Sequence, residues 1–292
     1  MWIIKHFLFL SAKNTMKTYL FLGALSSVLF LNSCSGNDEN DTTNNPEPKI
    51  LLSKVTSVYY SNPTNPNTSV ITYNYNSQKQ LIKVSSQGGS TSFEYDTAGK
   101  LSKTNYYNTD GAIAFYTTWT YNGSQLAAIK SIYPDSNDNT TKVYTYNNDK
   151  ITGTSLCYSL NCTIPSTSSY TYNGDNVSTE ILFSDNIGGP STIKREFSYD
   201  NKINPYSLTS AYFRTYLADT QFLSQNNYTS EKVSRMDSAG NWVQIQNITY
   251  EIQYNNAQLP SKIIGKDANG NLFIEYNYEY ITLKKQYTSV PR

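Results

Sequence analysis

Phe93-Glu94-Tyr95-Asp96-Thr97-Ala98-Gly99-Lys100-Leu101 holds the end of one strand, a turn and the start of a returning strand. Side chains alternate across an extended chain, so Phe93 and Tyr95 share one face. The Asp96 side chain can hold a turn while Gly99 takes a left-handed backbone, and Leu101 restarts the apolar pattern. The phrase recurs as Tyr73-Asn74-Tyr75-Asn76 to Leu81, Trp119-Thr120-Tyr121-Asn122 to Leu126 and Tyr144-Thr145-Tyr146-Asn147 to Ile151. It returns as Tyr170-Thr171-Tyr172-Asn173 to Val177, Phe197-Ser198-Tyr199-Asp200 to Ile203 and Ile252-Gln253-Tyr254-Asn255 to Leu259. A period of roughly 25 residues marks a repeat architecture.

Outward from these phrases the pattern stays at period two. Ile248, Tyr250, Ile252 and Tyr254 alternate with polar residues, as do Leu272, Ile274, Tyr276, Tyr278 and Tyr280. That is the signature of a strand with one buried face. Asn122-Gly123, Asn173-Gly174 and Asp110-Gly111 supply tight hairpin turns. Asp237-Ser238-Ala239-Gly240-Asn241-Trp242 and Asp267-Ala268-Asn269-Gly270-Asn271-Leu272 repeat the longer turn of Asp96 to Leu101. Consecutive hairpins make a meander, with roughly 15 strands expected from Lys49 to Tyr287. The spacing predicts that most of the 27 tyrosines pack on a shared inner face, with sugar stacking as the alternative.

Tyr95-Asp96-Thr97-Ala98-Gly99-Lys100-Leu101 resembles the YD (Rhs-type) repeat Tyr-Asp-x-x-Gly-Arg-Leu, with Lys in place of Arg. Asp237 to Trp242 resembles its Asp-x-x-Gly-Asn-Trp variant. Tyr199 to Tyr206, followed by Asn226-Asn227, is similar to a stretch of uncharacterised Bacteroidota lipoproteins. The resemblance spans about residues 70 to 280. It implies an all-β fold: a long, curved antiparallel meander of tandem YD-like β-hairpin repeats, forming an open spiral or partly closed shell. Ser207 to Gln225 break the rhythm; Leu208, Ala211, Tyr212, Thr215 and Tyr216 have helical spacing, so a short helix fits there.

Residues 1–33 read as a signal peptide with its true start at Met16. Tyr19 to Leu31 is an apolar run, too short for a bilayer, which needs about 20 residues. Leu31-Asn32-Ser33-Cys34 resembles the lipobox of bacterial lipoproteins, which makes Cys34 the expected lipidation site. Residues 34–48 are polar and acidic and read as a disordered tether. Residues 49–292 read as a single β-repeat domain. The acidic run after Cys34 resembles an export signal of Bacteroidota surface lipoproteins. The expected address is the outer membrane, lipid-anchored and facing the cell surface, with the periplasmic face as alternative. Cys157 and Cys162 either bridge or stay as free thiols.

The only histidine is His6, inside the leader, so the exported chain lacks triads and histidine-based zinc sites. No catalytic, cofactor-binding or metal-binding residue is expected. Asp135-Ser136-Asn137-Asp138-Asn139 lacks the glycine and the terminal acid of a calcium loop and reads as a turn. Net charge is +1 without a basic cluster, which excludes nucleic acid as a partner. Glu94, Asp96, Glu180, Asp185, Glu251, Glu275 and Glu279 are carboxylates of the type a glycosidase pairs, but their pattern places them on solvated turns and polar strand faces. The expected function is a lipid-anchored, non-catalytic envelope scaffold or binding protein for another envelope protein or a glycan. The alternative is a glycan-active enzyme using paired carboxylates.

Overall fold

The computed structural model describes residues 49–158, 164–186 and 189–283. They form sixteen strands: β1 (Lys49–Tyr59), β2 (Asn67–Tyr75), β3 (Leu81–Ser86), β4 (Gly89–Tyr95), β5 (Leu101–Tyr107), β6 (Ile113–Asn122), β7 (Gln125–Ile132) and β8 (Thr140–Asn147) in the first half. The second half holds β9 (Lys150–Cys157), β10 (Ser166–Asn173), β11 (Asn176–Asn186), β12 (Gly189–Tyr199), β13 (Tyr228–Met236), β14 (Trp242–Tyr254), β15 (Pro260–Lys266) and β16 (Leu272–Leu283). Neighbours in sequence pair antiparallel, and β16 then pairs with β1, from Lys49 opposite Leu283 to Tyr59 opposite Ile274. The fold is all-β, but the expected open spiral or partly closed shell of YD-like hairpins is corrected: the sheet closes into a barrel. Hairpin periodicity dictates which neighbours pair and is silent on whether the two ends meet. Closure removes two unpaired strand edges.

Each position of the repeated phrase has a distinct job. The first aromatic points into the lumen: Tyr73, Phe93, Trp119, Tyr144, Tyr170 and Phe197 are all buried. The closing aliphatic is buried as well at Leu81, Leu101, Leu126, Ile151, Val177 and Leu259; Ile203 is exposed, because an insert begins where its strand would. The second aromatic bridges a split. Each even strand leaves the ladder of the preceding strand before its own end; β6 pairs with β5 only as far as Thr118 opposite Lys103. The Tyr121 hydroxyl crosses that gap and donates to the Leu101 carbonyl at 2.8 Å. Tyr75 does the same to Leu52 (2.7 Å), Tyr95 to Leu81 (2.8 Å), Tyr146 to Leu126 (3.0 Å), Tyr172 to Ile151 (2.9 Å) and Tyr280 to Pro260 (2.6 Å). Tyr199 donates likewise to the Val177 carbonyl. Phenylalanine could fill the same space but could not satisfy a carbonyl stranded between diverging strands.

The turns obey the chemistry read from the sequence. Asp96 Oδ1 accepts from the Ala98 and Lys100 amides, both at 2.9 Å, while Gly99 sits at φ +77°. Asn76 builds the same turn with Lys79 at φ +64°, so the side-chain bonds hold the geometry even without glycine. Long side chains stitch successive turns at this end: Lys100 Nζ to the Gly123 carbonyl (2.7 Å), Gln125 Nε2 to Asn148 (2.7 Å) and Lys150 Nζ to Gly174 (2.5 Å).

A ring of sixteen strands is too wide for its own wall side chains to fill. The insert between Tyr199 and Tyr228 fills it. After a 3-10 turn (Pro205–Leu208) come two short helices, α1 (Ala211–Leu217) and α2 (Thr220–Leu223). Ser210 caps α1 by accepting from the Phe213 amide at 3.2 Å, and Asp219 caps α2 by accepting from the Gln221 amide at 3.0 Å. Of the residues with helical spacing in the sequence, Ala211, Tyr212, Thr215 and Tyr216 fall on α1, and Leu208 ends the 3-10 turn before it. The insert follows the inner wall strand by strand. Tyr206 packs on Tyr278 with ring centres 6.3 Å apart, and Phe213 lies 6.4 Å from Tyr73 and 5.6 Å from Phe93. Tyr212 meets Tyr121 at 5.7 Å, and Tyr216 meets Trp119 at 5.0 Å. Tyr144 then donates to the Tyr216 carbonyl at 3.0 Å, and Tyr170 donates to that of Ala218. The inward aromatics of the repeat and the insert thus form one core.

Candidate functional site

The lumen holds a charged centre where β11, β12 and β13 face α2. Glu180 and Arg195 stand opposite each other across the β11–β12 ladder. Arg195 donates through Nη1 to Glu180 Oε2 and through Nε to Glu231 Oε1, both at 2.6 Å. Thr220 donates to Glu180 and Tyr250 to Glu231, each at 3.2 Å. All three charged residues are buried. Burial raises the Glu180 carboxyl above the usual range, and the Arg195 charge opposes that shift. Both carboxylates are committed to the guanidinium, so the arrangement fixes the register of three strands and the position of α2. Removing one partner from such a set is strongly destabilising, because it strands a buried charge.

Lys142 on β8 faces the carboxyl end of α1. Its ammonium donates to the carbonyls of Leu217 (3.1 Å) and Tyr216 (3.3 Å), a cation at the negative end of a helix. Burial lowers its pKa to about 8, while Asp219 and Glu180 act against that shift. Beside it lies a pocket of about 330 Å³, open solvent included, lined by Ile129, Ser131, Thr140, Lys142, Leu156 and residues Tyr216 and Leu217 of α1.

Asp200 and Asn227 form the neck of the insert. The Asp200 amide donates to the Asn227 carbonyl at 2.9 Å, and Asn227 Nδ2 lies 3.1 Å from each Asp200 carboxylate oxygen. Tyr254 also donates to this carboxylate. It is the second aromatic of its repeat, diverted from a strand carbonyl to the neck. Burial raises the Asp200 pKa to about 6, with the bonds from Tyr254 and Asn227 acting against the shift.

The carboxylates named from the sequence do not converge. Glu94, Glu251, Glu275 and Glu279 lie on the outer wall with lysine partners. Asp96 holds its turn, and Asp185 is exposed near the end of β11. The reading of Glu180 as solvated surface is corrected. A bulge between Val177 and Thr179 opposite β10 shifts the alternation and turns Glu180 inward. Arg195, Glu231 and Lys142 were missed; the legible signal was Arg195 between Ile193 and Phe197, on the apolar parity of β12. Asp135 caps a 3-10 turn at Ser136–Asp138, as expected of a turn. Cys157 ends β9 and is disulfide-bonded, whereas Cys34 and Cys162 lie outside the described residues, as do the leader and the tether. Among the described residues no group of three or more His, Cys, Asp or Glu could hold a metal ion.

The outer wall is polar. Lys54 pairs with Glu279 (2.7 Å), Lys262 with Glu275 (2.9 Å), Lys266 with Glu251 (2.5 Å) and Lys194 with Glu196 (3.2 Å). A membrane-spanning barrel presents the reverse, an apolar band outside and a polar interior. No helix among the described residues is long and apolar enough to cross a membrane.

No family model matches the chain, and no curated protein matches it. Solved structures do. A porin-like protein from Bacteroides uniformis is similar at a TM-score of 0.52 and 15% identity, over 79% of this chain and 98% of that one. A porin-like protein from Bacteroides vulgatus aligns at a TM-score of 0.47 and 10% identity, over 80% of this chain and 99% of that one. A chain of the TcdB2-TccC3-Cdc42 structure aligns at 0.31 and 10% identity, over 75% of this chain and 13% of that one. At 15% identity the first likeness establishes the barrel fold and nothing about activity.

Proposed function

We propose that this protein is a lipid-anchored, non-catalytic β-barrel of the bacterial envelope, held at Cys34 and acting as a scaffold or binding protein for another envelope protein or a glycan. The observation that carries the reading is the inversion of the barrel: ion pairs and hydroxyls outside, a packed aromatic core inside. Each Lys or Arg on a lipid-facing wall would cost about 2–4 kcal/mol at the bilayer midplane, which favours a wall in water and supports an anchor outside the barrel. The leader and Cys34 supply it in the sequence. The likeness to a porin-like Bacteroides protein supports an envelope setting, while the plugged lumen argues against a pore. The outer membrane is the proposed address, with the domain on the cell surface.

Metabolic labelling with palmitate, followed by fractionation and protease shaving of intact cells, tests this. Labelled protein that protease removes without lysis supports it, and Cys34→Ala should lose both label and membrane fraction. An unlabelled protein in the soluble fraction would sink the anchor. Steady conductance of the purified barrel in planar bilayers would sink the plugged-scaffold reading.

A further inference from the structure

At the rim opposite the insert, several strands run past one neighbour, among them β2 over Asn67–Ile71, and the longest such overhang belongs to β14. β14 pairs with β13 from Trp242 opposite Met236 to Thr249 opposite Ser230, but with β15 only from Thr249 opposite Lys266 onward. Trp242–Ile248 therefore have one edge facing no strand among the described residues; Val243–Ile245 are exposed, and the stretch enters the core at Ile248. Val243, Ile245 and, across the hairpin, Met236 are exposed at 49%, 44% and 37%. Unpaired backbone donors and acceptors on an extended edge are a template for another strand. Natural edges are usually blunted by charge, proline or a bulge, and the shorter overhang of β12 has Pro190. Trp242-Val243-Gln244-Ile245-Gln246-Asn247 has neither charge nor proline; its one irregularity is a bulge at Ile245.

We propose that this edge pairs with the same edge of a second copy of the chain, antiparallel about a two-fold axis at Gln244. That register sets Val243 opposite Ile245 and Trp242 opposite Gln246 in both directions. The contact closes on itself as a two-fold interface must. With no charge in the segment, two copies meet without repulsion. Directly opposite side chains in an antiparallel pair lie close enough to touch, so Val243 and Ile245 would shield each other's apolar surface from water. The inference stands apart from the lipid anchor and from any partner.

Sedimentation of the purified protein over a concentration series, up to about 1 mM where even weak association registers, is the test. The expected result is a monomer–dimer equilibrium whose dissociation constant rises at least tenfold in Val243→Lys and Ile245→Lys, with an unchanged circular-dichroism spectrum. Both side chains are exposed, so neither change should disturb folding. Gln244→Cys should cross-link two copies through that residue under mild oxidation. A monomer at every concentration overturns the proposal, including one that captures an extended peptide along this edge. So does a dimer that both lysine variants leave intact.

Discussion

The barrel wall and the insert reach the same core by opposite routes. The wall is written many times over: most hairpins supply a lumen aromatic, a bridging tyrosine and a buried aliphatic, so one altered copy leaves its neighbours intact. The insert is written once. Its Phe213 touches Tyr73, Phe93 and Phe222, its Tyr206 touches Phe222 and Tyr278, and its Thr220 reaches Glu180. Redundant local elements spread stability thinly, whereas a single central element concentrates it.

The contrast sets the order of expected effects. Phe213→Ala should cost the most, about 3–5 kcal/mol, because the cavity opens at the centre of the lumen where several strands converge; chemical denaturation reads it as a fall in midpoint. Arg195→Met should cost a comparable or slightly smaller amount, about 3–5 kcal/mol, by leaving Glu180 and Glu231 unpaired. Changing all three to Met, Gln and Gln should recover much of that loss, and no recovery would contradict the role given to the network. Gly265→Val should cost about 1–3 kcal/mol by overpacking, since a side chain there meets Ile274 at 2.8 Å and Tyr250 at 2.9 Å. In the wall, Tyr121→Phe or Tyr172→Phe should each cost only about 1 kcal/mol. The pair should add within a few tenths, as remote copies of one device should; strong coupling would mean that the wall is less modular than it looks.

The smallest effect is a pH slope. With its carboxyl raised to about 6, the folded protein binds a proton at Asp200 where the unfolded chain has released it. Stability at this site therefore falls as pH rises from about 4 to about 6 and is flat above. Asp200→Asn should abolish that slope while keeping an acceptor for the Lys202 amide and Asn227 Nδ2. Thermal melts of both proteins across this range check the sign.

Much of the wall was legible because its causes are local. The alternation in Tyr276, Tyr278 and Tyr280, the turn at Asp96 and the helical spacing in α1 rest on bonds between residues close in sequence. The place of Glu180 in the charged centre was not legible, because one extra residue at the Val177–Thr179 bulge inverts the face of the rest of β11, and a bulge has no composition of its own. Barrel closure was hidden for a related reason. β1 and β16 are separated by nearly the whole chain, and an open sheet would show the same hairpins.

By itself the sequence determined the strands, their turns, their buried face and the positions of the tyrosines, since period and turn chemistry are properties of neighbouring residues. Only the tertiary structure decided that the first and last strands pair, that the irregular insert fills the resulting lumen, and that Glu180 and Glu231 meet on Arg195. Each of those depends on a contact between distant segments, where the gain is packing and desolvation shared across the whole ring.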